Sequence, residues 1–283
     1  LANNDLAQQS KLYIFSDGAK SNADNESVCE VRKIVEAEIE EKRFAKTNFF
    51  LSTKNKGLKQ SITEGVSCVF KKHESVIVLE DDLVTYSDFL TYINTLLNKY
   101  ADNEKIGSIT GYNPIPEMPK DYVYDVYFSN RSSSLGWATW KHIWDNIDWT
   151  GSGYPKFKKS YHQRTLFNMA GYDRAKRLDL QMKKDAKSWS ILFGFDLFLN
   201  NKLIAYPKNS KLIHIGWDGS GTHNSSFDTK KFNNKLVEQN YPLIFPKKVN
   251  LSKAIVKLQQ KTFGNSLKMK LKDLLVFIKN YIA

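Results

Sequence analysis

An α/β domain with a mostly parallel sheet flanked by helices is the architecture predicted for this 283-residue chain. Three observations predict it. Short β-rich runs alternate with amphipathic helical stretches through the first 110 residues. The run Ser75–Leu79 (SVIVL) is continuously apolar, as a strand buried on both faces requires. Two of the runs, ending at Phe15 and Leu79, lead directly into acidic residues, and ligands of open α/β sheets sit at the carboxyl ends of strands.

Each element follows from its residues. Lys11–Phe15 is a strand closed by the turn Ser16-Asp17-Gly18. Ser27–Lys46 has helical spacing, with Val28, Val31, Ile34 and Val35 set among charges. Asn48–Ser52 is a second short apolar run, and Lys54-Asn55-Lys56-Gly57 is a loop. Gln60–Lys72 is a helix with Ile62, Val66, Val69 and Phe70 on one stripe. After the Ser75–Leu79 strand, Ser87–Tyr100 is predicted to be a helix capped by Ser87, and Ile106–Thr110 a strand ended by Gly111. Beyond Tyr112 the chain reads as loop-rich and aromatic, with Trp137, Trp140 and Trp144 within Asn130–Ile147. Ser188–Asn200 reads as a helix, Leu203–Ala205 and Lys211–Ile215 as short strands, and the tail as one or two helices broken near Gly264-Asn265. This divides the chain into a main domain, 1–246, and a basic amphipathic tail, 247–283. Residues 1–10 look like the end of a helix, so a first strand is expected to precede this numbering.

Composition narrows the function. Apolar residues at 41% and charged residues at 25% argue against wholesale disorder. Two cysteines, Cys29 and Cys68, build neither a disulfide framework nor a thiolate zinc cluster. The polar start LANNDLAQQS holds no signal-peptide core, and no apolar run is long enough for a bilayer. A cytoplasmic protein, peripheral at the inner face of the plasma membrane, is the expectation. The net charge of +12 invites a nucleic-acid reading, but its distribution does not support one. Residues 1–149 carry 17 basic and 22 acidic side chains, whereas residues 151–190 carry 10 and 3, and residues 247–283 carry 9 and 1.

Several residues could carry chemistry. Three consecutive carboxylates, Glu80-Asp81-Asp82, repel one another unless a cation compensates, and a hard divalent ion such as Mg²⁺ or Mn²⁺ does so while bridging to substrate phosphates. Asn55, Lys56 and Gly57 precede a helix and suit a phosphate or ribose. Gly136, Trp137 and Trp140 could form a platform for a sugar ring. Asp196 lies inside an apolar stretch, where burial favours a base with a raised pKa. Gly216-Trp217-Asp218-Gly219-Ser220-Gly221-Thr222-His223 is a glycine-rich loop ending in a potential metal or phosphate ligand.

Together these motifs resemble the nucleotide-sugar glycosyltransferases of the GT-A fold. LYIFSDGAKSNAD and NKGLKQSITEGV resemble donor-binding segments of family 2 members. VIVLEDDLVTYSDFL and SSSLGWATWK resemble the acidic metal motif and Leu-Gly-Trp segment of the N-acetylglucosaminyltransferase I type. YPKNSKLIHIGWDGSGTHN resembles a C-terminal segment of bacterial polysaccharide sugar transferases. The resemblance spans about Leu12 to Asn224. It implies a metal-dependent, inverting transferase moving a sugar from a nucleotide-diphosphate donor, UDP in the first instance, to a saccharide or lipid-linked saccharide acceptor. Asp82 would coordinate Mn²⁺ or Mg²⁺, aided by Glu80, Asp81 and His223. Asp17 would contact the nucleobase. Asp196 would be the general base, with Asp218 its competitor, and the loop through Gly219, Ser220 and His223 would close over the diphosphate. The triplet is Glu-Asp-Asp where such families often carry Asp-x-Asp.

Two alternatives stand beside this. A nucleotidyltransferase also uses strand-end carboxylates and a metal. A non-enzymatic sugar- or nucleic-acid-binding module is the other class. For the tail, Leu267, Leu271, Leu274, Leu275 and Ile278 share a helical face, which suits either an anionic membrane surface or a second subunit against residues 251–283.

Overall fold

The computed structural model describes residues 1–184, 188–216, 240–264 and 267–282. Strands β1 (Lys11–Ser16) and β2 (Lys46–Leu51) pair in parallel, Leu12 opposite Thr47, with α1 (Asn25–Glu40) as the crossover. The predicted helix was too long: it stops at Glu40, and Lys46 already belongs to β2. Next come α2 (Leu58–Phe70), β3 (Ser75–Val78), β4 (Leu83–Thr85), α3 (Phe89–Lys99) and β5 (Ile106–Thr110). The residue flanking α3 is Asp88, not Ser87; its carboxylate makes no cap bond and instead pairs with Lys211 at 2.6 Å.

The stretch read as an aromatic loop contains two strands, β6 (Val126–Ser129) and β7 (Trp137–Trp140). Four helices follow where no regular element was expected: α4 (Lys141–Trp144), α5 (Tyr154–Lys158), α6 (Tyr161–Phe167) and α7 (Arg174–Lys184). The predicted helix around Asp196 is α8 (Trp189–Leu199), followed by β8 (Leu203–Pro207) and β9 (Leu212–His214). The tail forms α9 (Lys253–Phe263) and α10 (Leu267–Ile282), parted at Gly264 as expected.

The fold is α/β, but the sheet is mixed and not mostly parallel. A five-stranded sheet runs in the order β3-β7-β5-β8-β6. Only β5 and β8 pair in parallel; β7 lies antiparallel between β3 and β5, and β6 antiparallel on β8. The cause is the excursion from Gly111 to Gly136, which returns a strand into the sheet beside β3 in the reverse direction. A separate ribbon pairs β4 with β9, Leu83 opposite His214.

Among the described residues β1 and β3 each keep one unpaired edge, and α2 packs against both strands. Tyr13 of β1 also reaches across, its hydroxyl 2.8 Å from His73 Nε2 just before β3. No residue of β1, α1 or β2 is buried. The core lies under the five-stranded sheet instead. There Trp137 meets Trp189 at 4.9 Å and Phe193 at 5.3 Å between ring centroids. A second cluster joins Phe157, Phe167 and Phe195.

The tail is part of this body. Ile255 and Gln259 of α9 are fully buried, and Ser129 donates to Gln259 Oε1 at 3.0 Å. Asp273 of α10 is held by Arg164 and Asn168. No helix among the described residues is long and apolar enough to cross a membrane.

Candidate functional site

The carboxyl end of β3 delivers the acidic triplet. β4 begins at Leu83, so its pairing with β9 fixes where Asp82 points. Asp82 Oδ2 lies 3.0 Å from His214 Nε2, and the Asp82 carbonyl accepts the Ile215 N–H at 2.8 Å. Asp82 Oδ1 is buried and has no hydrogen-bond partner among the described residues. Desolvation first, then the charges of Asp82 and Asp81, push the Glu80 carboxyl up to about 7. The site therefore concentrates negative charge with an acceptor oxygen unspent.

His214 was not among the residues selected from the sequence, which favoured His223. The signal available was modest: it is the one titratable side chain in an apolar strand that ends beside a glycine. Gly216 makes the approach feasible, since a Cβ there would stand 2.8 Å from Asp82 Oδ2. Asp82 and His214 offer a carboxylate and an imidazole, a pair that suits Mn²⁺, whereas Mg²⁺, which takes oxygen ligands, would use the carboxylate alone. The unfilled Asp82 oxygen fits that use. No group of three or more His, Cys, Asp or Glu side chains placed to hold a metal converges among the described residues, at this strand end or elsewhere, so Asp82 and His214 stand as a pair.

Asp17 and the Asn55-Lys56-Gly57 loop do come together, at the carboxyl end of β1. Asp17 accepts backbone N–H bonds from Gly18, Lys56 and Gly57, each near 2.9 Å, and Asn55 Nδ2 donates to the Gly18 carbonyl at 2.7 Å. Burial raises the Asp17 pKa, but those amides outweigh it and hold the carboxyl below its usual range. Asp17 thus builds the loop with its own oxygens. Gly18 is required, because a Cβ would sit 2.5 Å from the Lys54 carbonyl carbon. Arg32 ties the same edge together, donating to the Asp17 and Ser52 carbonyls at 3.0 and 2.7 Å.

Asp17→Ala is expected to cost about 1–2 kcal/mol of stability, the usual worth of hydrogen bonds to a charged acceptor at a half-exposed site. Since folding lowers this pKa, the contribution is intact above roughly pH 4 and is lost as pH falls through the folded value. Urea titrations of both proteins should show the difference narrowing on acidification; a gap unchanged down to pH 2 would contradict it.

Other expectations are corrected. Trp137 and Trp140 are 0% and 5% exposed, so neither face is open to a sugar; they are core residues of β7. Gly136 serves packing too: it has φ +54°, and a Cβ would stand 2.1 Å from Leu212 in β9. Asp196 is also misplaced for a base beside Asp82. It sits near the C-terminus of α8, whose next residue Leu197 packs on Gly107 at the start of β5, at the end of the strands opposite the carboxyl end of β3. There its carboxylate accepts the Asp148 N–H at 3.1 Å and Asn200 Nδ2 at 3.0 Å. Burial raises its pKa, as expected, but its bonds are structural. Asp218, Gly219, Ser220 and His223 lie outside the described residues.

Comparison with protein-family models finds no match, and comparison with curated proteins finds none either.

Proposed function

We propose that this chain is a metal-assisted glycosyltransferase of GT-A type, moving a sugar from a nucleotide-diphosphate donor to a saccharide hydroxyl in the assembly of a bacterial surface glycan. The observation that carries this reading is the Asp82–His214 pair at a strand end, with a buried Asp82 oxygen left unfilled inside an acidic triplet. Asp82 and His214 would hold Mn²⁺, or Asp82 alone would hold Mg²⁺. That ion supplies charge neutralisation for the departing nucleoside diphosphate.

The chain's own residues supply the rest. The Asp17-built loop of Asn55 to Gly57 frames the nucleoside side of the site. Glu80 stands behind Asp82 with its carboxyl pushed up to about 7 by burial and by the charges of Asp82 and Asp81, so a bound cation would favour its ionised form. With Asp196 engaged at the opposite end of the strands, Asp218 is assigned the acceptor proton as the hydroxyl attacks the anomeric carbon.

The test is a thermal-shift screen of nucleotide sugars with and without Mn²⁺, followed by product analysis. Binding to the folded state raises the melting temperature. A metal-dependent shift with one donor, and release of its nucleoside diphosphate on adding acceptor, is the expected result. Release of pyrophosphate would instead establish a nucleotidyltransferase. Binding without any turnover would establish a sugar-binding module.

The exposed face of α10 supports a contact with an anionic membrane surface. Leu271, Leu275 and Ile278 are exposed at i, i+4 and i+7 on a helix rich in lysine. Deleting the tail would remove buried Ile255 and Asp273, so point changes are the proper probe. The triple variant L271S/L275S/I278S should lose flotation with phosphatidylglycerol-containing vesicles while keeping its fold. Flotation equal to wild type, or none in the wild type, would reject the membrane role; concentration-dependent dimers lost in the variant would assign the face to a second copy.

A further inference from the structure

Three arginines meet in a small pocket away from the acidic triplet. Arg131 follows β6, and Arg174 and Arg177 occupy the first turn of α7; Ser132, Ser190 and Ile191 complete the lining. The cavity is about 30 Å³, room for one compact group. Among the described residues the one carboxylate engaged with these arginines is Asp173, held bidentately by Arg131 at 2.8 and 2.9 Å and 3.8 Å from Arg177. Three cations thus face one anion.

Arg174 is the most telling member. It is 2% exposed, and its Nη1 donates to the Phe167 carbonyl at 2.7 Å. Its Nη2 is buried with no partner among the described residues. An arginine remains charged in a protein, so a buried guanidinium with a free donor and cationic neighbours demands a counter-anion. Its head group is also immobilised: it stacks on Phe167 at 3.8 Å, as Arg131 stacks on Phe263 at 3.7 Å.

The backbone adds donors. Ser190 and Ile191 lie in the first turn of α8, where amides lack intrahelical partners. The N-cap residue Ser188 makes no side-chain cap bond to them. α8 has no acidic residue in its first turn, and α7 carries two arginines in its first turn behind Asp173, whose carboxylate Arg131 already engages bidentately. Gly194 keeps the pocket open, because a Cβ would collide with Ser132 Oγ at 2.1 Å and stand 3.7 Å from Arg174 Nη2.

We propose that this pocket binds a phosphoryl-type oxyanion, held by Arg174 Nη2, the Arg177 guanidinium and the first amides of α8. The planar donor forks match a tetrahedral oxyanion. The proposal does not depend on sugar transfer, since it concerns binding alone, in a pocket that shares no residue with the Asp82–His214 pair.

The test uses the full chain in metal-free buffer. Inorganic phosphate and pyrophosphate are titrated by calorimetry, and melting temperatures are compared in phosphate and in chloride at equal ionic strength. Saturable one-site binding is expected, weakened at least tenfold in Arg174→Gln and in Arg177→Gln. Arg177 is half exposed, so its variant is expected to fold even where Arg174→Gln does not. No saturable binding by the wild type, or unchanged affinity in Arg177→Gln and any folded Arg174→Gln, would overturn the proposal. Competition by UDP would assign the phosphoryl group to a nucleoside diphosphate; phosphate binding indifferent to UDP would assign the pocket to a phosphoryl group outside the donor.

Discussion

Arg164→Ala is expected to lower the unfolding free energy by about 3–5 kcal/mol, the cost of removing one partner from a buried ion network. Arg164 in α6 is 0% exposed. Its two Nη atoms fork onto Asp179 of α7 at 2.9 and 3.0 Å, and Nη2 also bonds Asp273 of α10. Tyr154 donates to Asp179 at 3.0 Å and Asn168 to Asp273 at 2.9 Å. One cation therefore holds together three helices and two buried carboxylates. Without it both acids face each other in a site that has excluded water, and each must either take up a proton or drag water in. A urea titration with unchanged m value would report the loss as a lower midpoint. A loss under about 1 kcal/mol would show that the network contributes little to holding α10. Replacing all three charged residues together by apolar ones of similar volume should recover much of the loss, since only the unpaired state is expensive.

Asp82→Ala and His214→Ala are each expected to reduce sugar transfer on the order of 10³-fold, about 4 kcal/mol of transition-state stabilisation. Both should also abolish the Mn²⁺-dependent rise in melting temperature with donor. The two changes should not add, because either one dismantles the same pair. The fold should survive, as His214 lies at the end of a three-residue ribbon and Asp82 is a third exposed. Asp82→Asn keeps the bond to the imidazole but gives up the charge, so it separates geometry from electrostatics. Wild-type turnover in either alanine variant would remove that residue from the mechanism. Asp196→Ala serves as the contrast, with stability reduced and chemistry retained.

Much of the chain could be read in advance, and the misreadings have physical causes. β1, β3, β5, α8 and the split tail were legible because apolar periodicity and flanking turn residues agree locally. β7 was not, since Trp-Ala-Thr-Trp is a strand only through its neighbours: Trp137 sits between Val78 and Thr110, fully enclosed. The same enclosure turned an apparent sugar platform into core. α5 to α7 were hidden by charge. Arg164 and Arg174 look like surface residues until tertiary partners are known, so the cationic segment 151–190 supplies two of the most deeply buried charges among the described residues. At the site, the acidic triplet and the Asp17 loop could be read from strand ends, whereas the Asp82–His214 contact depends on the antiparallel register of β4 and β9, which spacing alone does not determine.

The roof that α2 makes over β1 and β3 has a consequence for how the protein opens. The unit of β1, α1 and β2 holds no buried residue, while the five-stranded half contains nearly all the large enclosed side chains. Its free energy of separation from the rest is accordingly small, and it can unfold as a local unit with the other half intact. The Asp17 loop rides on that unit and Asp82 does not. Any molecule bridging the two would therefore spend part of its affinity on closing them, and amide exchange in β1 and β2 would slow more on its binding than exchange in β5 and β8.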